Sequence, residues 1–324
     1  MSAPRRTGRA AGIAAGWLAD LLFGDPSRGH PVAMFGRGAA AFERLTYADS
    51  RSAGALHTAV LLGALGAAGS LADRVAGRAG QTGTAAVTAA ATFVALGGTS
   101  LTRTGDQMAG RLAADELDSA RRLLPSLCGR DPSVLDAEGL TRAALESVAE
   151  NTSDAHVAPV LWGALGGLPA ILVYRGANTL DAMIGHRSPR YGRFGWAAAR
   201  FDDAANYVAA RVTGVMVVMC APVVGGSSLG AWQAWRRDAA RHPSPNAGVV
   251  EAAFAGALGV RLGGPTQYAH ELEIRPTLGD GAAPQVSDLA RAIRLSRAVQ
   301  AATAIVVVVL SVAGRNGRRA SPRS

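Results

Sequence analysis

Three clusters of acidic, amide and guanidinium side chains carry the residue types that do chemistry here. Glu146, Glu150 and Asp154 are spaced four apart, so a helix stacks them on one face. Like charges stacked this way destabilise a helix unless a cation or an arginine compensates them. They also abut an apolar run, where an uncompensated carboxylate is costly. Hard oxygen ligands in this arrangement suit Mg²⁺ shared with substrate phosphates; salt bridging to arginine is the alternative. The second cluster is Arg175, Asn178 and Asp181, three apart and approximately aligned by a helix. The third is Arg200, Asp202, Asp203 and Asn206, followed by Arg211. Adjacent aspartates with an amide one turn later can hold a metal–phosphate group, while Arg200 and Arg211 neutralise its charge. A polar helix cap gives the same string. His30 follows the turn Gly24-Asp25-Pro26 and precedes Pro31, so it is either a general base or a loop residue. The Gly263-Gly264-Pro265 turn offers backbone that can cradle an anion.

Composition removes several alternatives. All 33 basic residues are arginine and none is lysine, in a chain of formal net charge +9. That excludes a P-loop lysine, a Schiff-base lysine and a lysine general base. Any bound phosphate or carboxylate must be gripped by arginine, whose planar fork suits such oxyanions. The arginines are scattered without interleaved aromatics, which argues against a nucleic-acid partner. There is no GxSxG elbow and no HExxH. Cys128 and Cys220 stand too far apart for metal-type spacing, and Cys220 reads as a buried thiol.

The elements that must position these clusters are apolar helices. Of the 324 residues, 49% are hydrophobic and only 18% charged, against about a quarter charged in soluble domains. Residues 79–102, 212–235 and 298–314 carry no charge; 52–72 and 155–174 carry only a histidine each. Each approaches the roughly 20 residues that cross a bilayer core. The 40 glycines and abundant alanine suit close helix packing in lipid. We therefore expect an all-α polytopic helical membrane protein with about five transmembrane or re-entrant helices and amphipathic connecting helices. Residues 12–23 add a short or tilted helix that is retained, not a cleaved signal. Two runs hold internal breakers: Pro159, Gly163, Gly166, Gly167 and Pro169 in one, Pro222, Gly225, Gly226 and Gly230 in the other. Broken helices at membrane depth border cavities or binding sites. Ser133 or Asp136 is placed to cap the helix through Leu145. Residues 1–314 form a single integral-membrane domain in this reading, and 315–324 a disordered basic tail.

Taken in order, the strings resemble the CobD/CbiB family of cobalamin biosynthesis, the adenosylcobinamide-phosphate synthases. The carrying residues are Gly24-Asp25-Pro26 with His30-Pro31, Glu150-Asn151-Thr152 with Asp154 and Pro159, and Tyr174-Arg175 with Asn178-Thr179-Leu180-Asp181. Tyr191, Phe194-Gly195, Asp202-Asp203 with Asn206, and Arg211 with Thr213 follow. Ser244-Pro245-Asn246-Ala247-Gly248, Leu262-Gly263-Gly264-Pro265 and Leu278-Gly279-Asp280 complete the set.

The resemblance implies a multi-pass cell-membrane enzyme that joins adenosylcobyric acid to (R)-1-amino-2-propanol or its O-phosphate, consuming ATP with Mg²⁺. Its partners would be the corrinoid, the amine, the lipid bilayer and other membrane enzymes of the cobalamin pathway. Activating a carboxylate for amide formation, as an acyl phosphate, needs phosphate-binding groups and a water-poor site. On that basis Glu146, Glu150, Asp154, Asp202 and Asp203 become candidate Mg²⁺ ligands, and Arg175, Arg200 and Arg211 candidate phosphate grips. Asn178, Asp181, Asn206 and Asn246 would orient substrate or nucleotide, and His30 or a carboxylate would take the amine proton. For the clusters to share a site, the segment 155–174 must be re-entrant, or tilted and broken. Two other readings compete: an intramembrane transferase acting on Mg²⁺–diphosphates, and a non-catalytic membrane sensor or regulator.

Overall fold

The computed structural model describes residues 3–26, 29–186, 188–267 and 272–313. The tail at 315–324 lies outside them. The helices run α1 Ala3–Phe23, α2 Pro31–Thr46, α3 Arg51–Ala76, α4 Gly80–Ala95, α5 Gly98–Ala113, α6 Leu117–Leu123 and α7 Ala137–Thr152. They continue as α8 Ala158–Gly166, α9 Leu168–Leu180, α10 Trp196–Cys220, α11 Ser228–Asp238, α12 Ala247–Leu258 and α13 Val286–Ala313. One hairpin, β1 Leu262–Gln267 and β2 Leu272–Leu278, interrupts the helices as a small antiparallel sheet. With 80% of the chain helical, the expected all-α class holds.

Among the described residues, three helical stretches are long and apolar enough to cross a membrane: Arg51–Ala113, Trp196–Val224 and Val286–Ser311. The sequence suggested about five, and the difference has two causes. The run 79–102 is continuous with its predecessor in the first stretch, where only short turns separate α3, α4 and α5. The run 155–174 breaks at Gly167, which adopts φ 70° ahead of α9. At 9 and 13 residues, α8 and α9 are about 14 and 20 Å long, short of a roughly 30 Å hydrocarbon core. Beyond α10, Gly225 at φ 64° closes the second breaker-rich run. Large apolar side chains on the long helices stay exposed, among them Met219, Val223, Ile305, Val309 and Leu310, which suits lipid rather than water.

The described contacts gather into two compact units. The first comprises Met1–Gly97, Ala158–Asn206 and Thr303–Ser324; the second comprises Gly98–Val157 and Tyr207–Ala302. In the first, small residues set the backbone separation. Gly8, Gly12 and Gly16 of α1 face Thr84, Thr88 and Thr92 of α4, and a Cβ added at Gly12 would lie 2.6 Å from the Ala85 carbonyl oxygen. This is small-xxx-small packing on both helices, as the composition implied. Nearby, Phe194, Leu180, Ile184 and Leu62 bury a second cluster.

The second unit is built around α12, which is buried along nearly its whole length. Its Phe254 packs with Leu145, Val148, Met108 and Ile293 into the largest core among the described residues. Asp136 caps α7 by accepting from the Gly139 N–H at 2.8 Å, one of the two caps anticipated. At its other end α7 passes into a π-helical turn, Ser153–Val157.

Candidate functional site: two buried polar clusters

In the first unit, a chain of hydrogen bonds joins α9 to α10. The Tyr174 hydroxyl donates to Asn206 Oδ1 at 2.8 Å, and Asn206 Nδ2 donates to Asp202 Oδ2 at 2.9 Å. All three residues are buried. Asn178 of α9 and Asp181, just past its end, lie close enough to act on the Asp202 carboxylate, so two of the clusters read from the sequence meet. Asp181 opens a π-helical turn, Asp181–Gly185, just as Asp154 sits in the π turn after α7. Such turns widen the helix and re-aim side chains, and they recur at functional sites. Asp203 is half-buried and lies 3.9 Å from the exposed Arg200, an i,i+3 pair.

Arg175 donates to Asn178 Oδ1 at 3.2 Å and lines a cavity of about 120 Å³ with Pro31, Phe35, Leu65 and Thr179. Among the described residues it has no carboxylate partner. His30 is engaged elsewhere. Its Nδ1 accepts from the Val32 N–H at 3.2 Å, capping α2, and Nε2 lies 3.6 Å from Asp25. The loop-residue alternative describes its contacts.

In the second unit, Glu146 is fully engaged. Arg130 binds Oε2, and the Gly263 N–H donates to Oε1 at 2.7 Å. One turn earlier on α7, Arg142 donates to the Gly263 and Pro265 carbonyls at 2.8 and 2.6 Å. Gly263 and Gly264, at φ 81° and 84°, bend β1 into a bulge that only glycine adopts readily. The Gly-rich turn therefore does cradle an anion, and the anion is the protein's own Glu146. The arginine-paired alternative raised for the acidic face applies to this residue.

Glu150 is half-buried; burial pushes its carboxyl above the usual range, opposed by the guanidinium groups of Arg275 and Arg130. The π turn at 153–157 shifts the helix phase, so Asp154 does not continue the strict four-residue spacing. Arg211 donates to Asn246 Oδ1 at 2.9 Å and stacks on the Tyr207 ring at 3.6 Å, which joins two further residues singled out from the sequence. Arg211 lines a cavity of about 380 Å³ with Trp235, Arg236, His242, Pro245 and Val249.

Among the described residues, no three His, Cys, Asp or Glu side chains are grouped as a metal-ligand set. Both Glu146 oxygens are committed, one to Arg130 and the other to the Gly263 N–H.

Sequence reasoning missed Glu251. It is the one charged residue of α12, 1% exposed, and neither carboxylate oxygen has a hydrogen-bond partner among the described residues. Burial, reinforced by Glu146 and Glu150, holds its carboxyl well above the usual range. A lone charge inside an apolar run was the available signal. Also missed were Arg130 and the buried Glu43, which accepts from Arg190 and Tyr191 at 2.8 and 3.1 Å.

Long apolar helices with bare faces, carrying buried carboxylate, amide and guanidinium groups in their interiors, define an all-α polytopic membrane protein with polar interior sites. The sequence model of the CobD/Cbib protein family matches residues 13–296. The cobalamin biosynthesis protein CobD of Mycobacterium tuberculosis H37Rv is 66% identical over 302 residues, covering 93% of this chain and 96% of that protein. Its namesake in Geobacter metallireducens is 41% identical over 271 residues, covering 82% and 85%. That of Rhodobacter capsulatus is 48% identical over 202 residues, covering 62% and 63%. No solved structure matches the chain. The chain belongs to the CobD/CbiB family of cobalamin biosynthesis.

Proposed function

We propose that the chain is a cell-membrane ligase that forms the amide bond between adenosylcobyric acid and (R)-1-amino-2-propanol or its O-phosphate, driven by ATP. The observation that carries this reading is the family match across residues 13–296. The chemistry divides into two steps. A substrate carboxylate oxygen attacks the terminal phosphorus of ATP, giving an acyl phosphate and ADP. The amine nitrogen then attacks the acyl carbon, the carbon–oxygen bond to phosphate breaks, and inorganic phosphate leaves with the electron pair.

Arg175, in the first unit, supports the first step: it is bonded to an amide oxygen and is not paired with a carboxylate among the described residues, so it has guanidinium donors to offer a phosphate. The Tyr174–Asn206–Asp202 chain supplies a rigid, buried set of polar groups for orienting substrate, with Asp181 and Asn178 beside it. Magnesium enters this reading only as the counter-ion of the nucleotide, and no step is routed through it.

Purified chain in lipid nanodiscs, given ATP, adenosylcobyric acid and each amine in turn, tests the reading. Stoichiometric ADP and adenosylcobinamide or its phosphate, identified by mass, are the expected products. Folded protein that yields neither with either amine overturns it.

A further inference from the structure

Each unit holds a cavity walled by arginine, and only the one beside Arg175 has been given a role. In the second unit, Arg211 of α10 and Trp235 and Arg236 of α11 line a cavity of about 380 Å³ together with Ala240, Pro245 and Val249. A volume of that order suits a small organic ligand. No carboxylate is among its lining residues.

Charge accounting leaves both of these arginines without a counter-ion. Their neighbours Arg237 and Arg241 share Asp238, at 2.8 and 3.4 Å, and Arg237 also reaches Asp280. Arg236 is exposed and stands 5.7 Å from the centroid of the Trp232 ring; among the described residues it makes no hydrogen bond or ion pair. Arg211 bonds through Nη1 alone, to the Tyr207 carbonyl at 3.0 Å and to Asn246 Oδ1 at 2.9 Å, and stacks on the Tyr207 ring. Each of those partners is neutral, although Arg211 lies in a stretch long and apolar enough to span a membrane. A charge placed there is costly, and it marks a site that meets an opposite charge. Glu251 does not supply it. That carboxyl is 1% exposed behind His242, and burial holds it well above the usual range.

The bonds that Arg211 makes leave a defined edge free. With Nη1 spent, Nε and Nη2 have no partner among the described residues, and two parallel N–H groups of this kind meet two phosphate oxygens at once. Asn246 holds the guanidinium in place of capping α12, to which its side chain makes no capping bond. Val249, in the first turn of α12, lines the cavity, so the positive end of that helix dipole adds to the field. Trp235 supplies an apolar wall, packed so tightly on Gly214 that a Cβ there would lie 2.9 Å from the indole ring. Two guanidinium groups balance the charge of about −2 that a phosphate monoester carries at neutral pH. A phosphodiester carries less and a triphosphate more.

We infer that this cavity is a binding site for a small phosphate monoester, with Arg211 and Arg236 gripping the phosphate and Trp235 covering the organic part. The site goes beyond the ligase reading and stands without it, because binding is measured with neither ATP nor corrinoid present.

Isothermal titration of the full-length protein in a phosphate-free maltoside detergent, with inorganic phosphate and then phosphoethanolamine, tests the assignment. One saturable site per chain is expected for both probes, with the monoester bound more tightly because Trp235 covers its carbon chain. Arg236→Gln should weaken both by about 10–100-fold, the scale for hydrogen bonds to a charged group, with an unchanged unfolding midpoint. Arg122→Gln removes an exposed arginine of α6 in the same unit and should leave both affinities within about twofold of wild type. Ala240→Trp fills the cavity while keeping both arginines and should abolish binding; if that variant does not fold, Arg236→Gln decides alone. No saturable binding of either probe, or binding that Arg236→Gln leaves intact, overturns the proposal. Phosphatidylglycerol is the competing source of phosphate. If it displaces phosphoethanolamine from the wild type and binds less to Arg236→Gln, the site belongs to a lipid headgroup and the monoester assignment is wrong.

Discussion

The Gly263 N–H donates to Glu146 Oε1 at 2.7 Å, so the glycine bulge of the hairpin closes on a carboxylate of α7. Arg130 binds the other oxygen, and both charged side chains are almost fully buried. A carboxylate with both oxygens engaged is a structural anchor that fixes the loop carrying Gly263 and Pro265.

Removing one partner of a buried ion pair strands the other charge, at a cost of about 3–5 kcal/mol. Glu146→Ala should therefore lower the unfolding midpoint sharply, because Arg130 keeps no other carboxylate partner among the described residues. The double variant Arg130→Met with Glu146→Leu should recover most of that loss. Thermal unfolding of both in detergent decides the matter. Unchanged midpoints for Glu146→Ala would mean that the pair contributes nothing.

Glycine on α1 is required for a geometric reason. A Cβ at Gly12 would lie 2.6 Å from both the Ala85 carbonyl oxygen and Thr88 Cβ, and neither can move without parting α1 from α4. Gly12→Leu should destabilise the first unit by about 1–3 kcal/mol or more. Gly63 of α3, with open space around it, is the control: Gly63→Ala should be neutral or stabilising by up to about 1 kcal/mol. Fluorescence-detected size exclusion after graded heating compares the two, and equal behaviour would count against close α1–α4 packing.

These anchors show what the sequence could and could not carry. Apolar continuity marked the long helices, because a run free of charge over 20 residues has few alternatives to a helix. Breakers marked the interruptions near Gly167 and Gly225, since both glycines take positive φ where the chain turns. Asp136 was legible as a cap because capping is local. Pairing of Glu146 with Arg130 was not, since it joins a helix to a loop with no periodic relation. The hairpin was hidden by Gly263, Gly264 and Pro265, residues that read as turn rather than strand. Glu251 was visible as the lone charge among Ala, Val and Phe, yet only the fold brings His242 near it. Asp202, Asn206, Asn178 and Asp181 were picked out by type and spacing, and the first unit does bring them together.

Asp238 gives a pH-dependent prediction. Burial opposes its charge, but hydrogen bonds from Arg237 and the Gly279 N–H, with the charges of Arg237 and Arg241, outweigh that and hold its carboxyl below the usual value. The folded state therefore binds this proton less readily than the unfolded chain. Its contribution is complete above about pH 4, the unfolded value, and is lost as pH falls through the lower folded value. Asp238→Asn should cost about 1–3 kcal/mol at neutral pH and flatten the acid limb of the stability curve. Chemical unfolding followed from pH 7 down to pH 3 reads this out; parallel curves for variant and wild type would show that Asp238 is not the group responsible.

Two arginines of different surroundings make the sharpest contrast. Arg130 neutralises a buried carboxylate, whereas Arg175, among the described residues, bonds through its side chain only to the Asn178 amide oxygen and lines a cavity. Deleting the first charge orphans Glu146; deleting the second orphans none. Arg130→Gln should consequently lose stability by about 3–5 kcal/mol, with activity falling because the protein unfolds. Arg175→Gln should keep its unfolding midpoint within about 1 kcal/mol of wild type while losing roughly 10²–10³-fold in ATP-dependent turnover, the scale for removing a transition-state charge stabiliser. Measuring midpoint and turnover on the same preparations distinguishes the cases. Arg175→Gln protein that stays folded and retains full turnover would remove Arg175 from the phosphate-binding role, and leave the small cavity beside it without an assigned ligand.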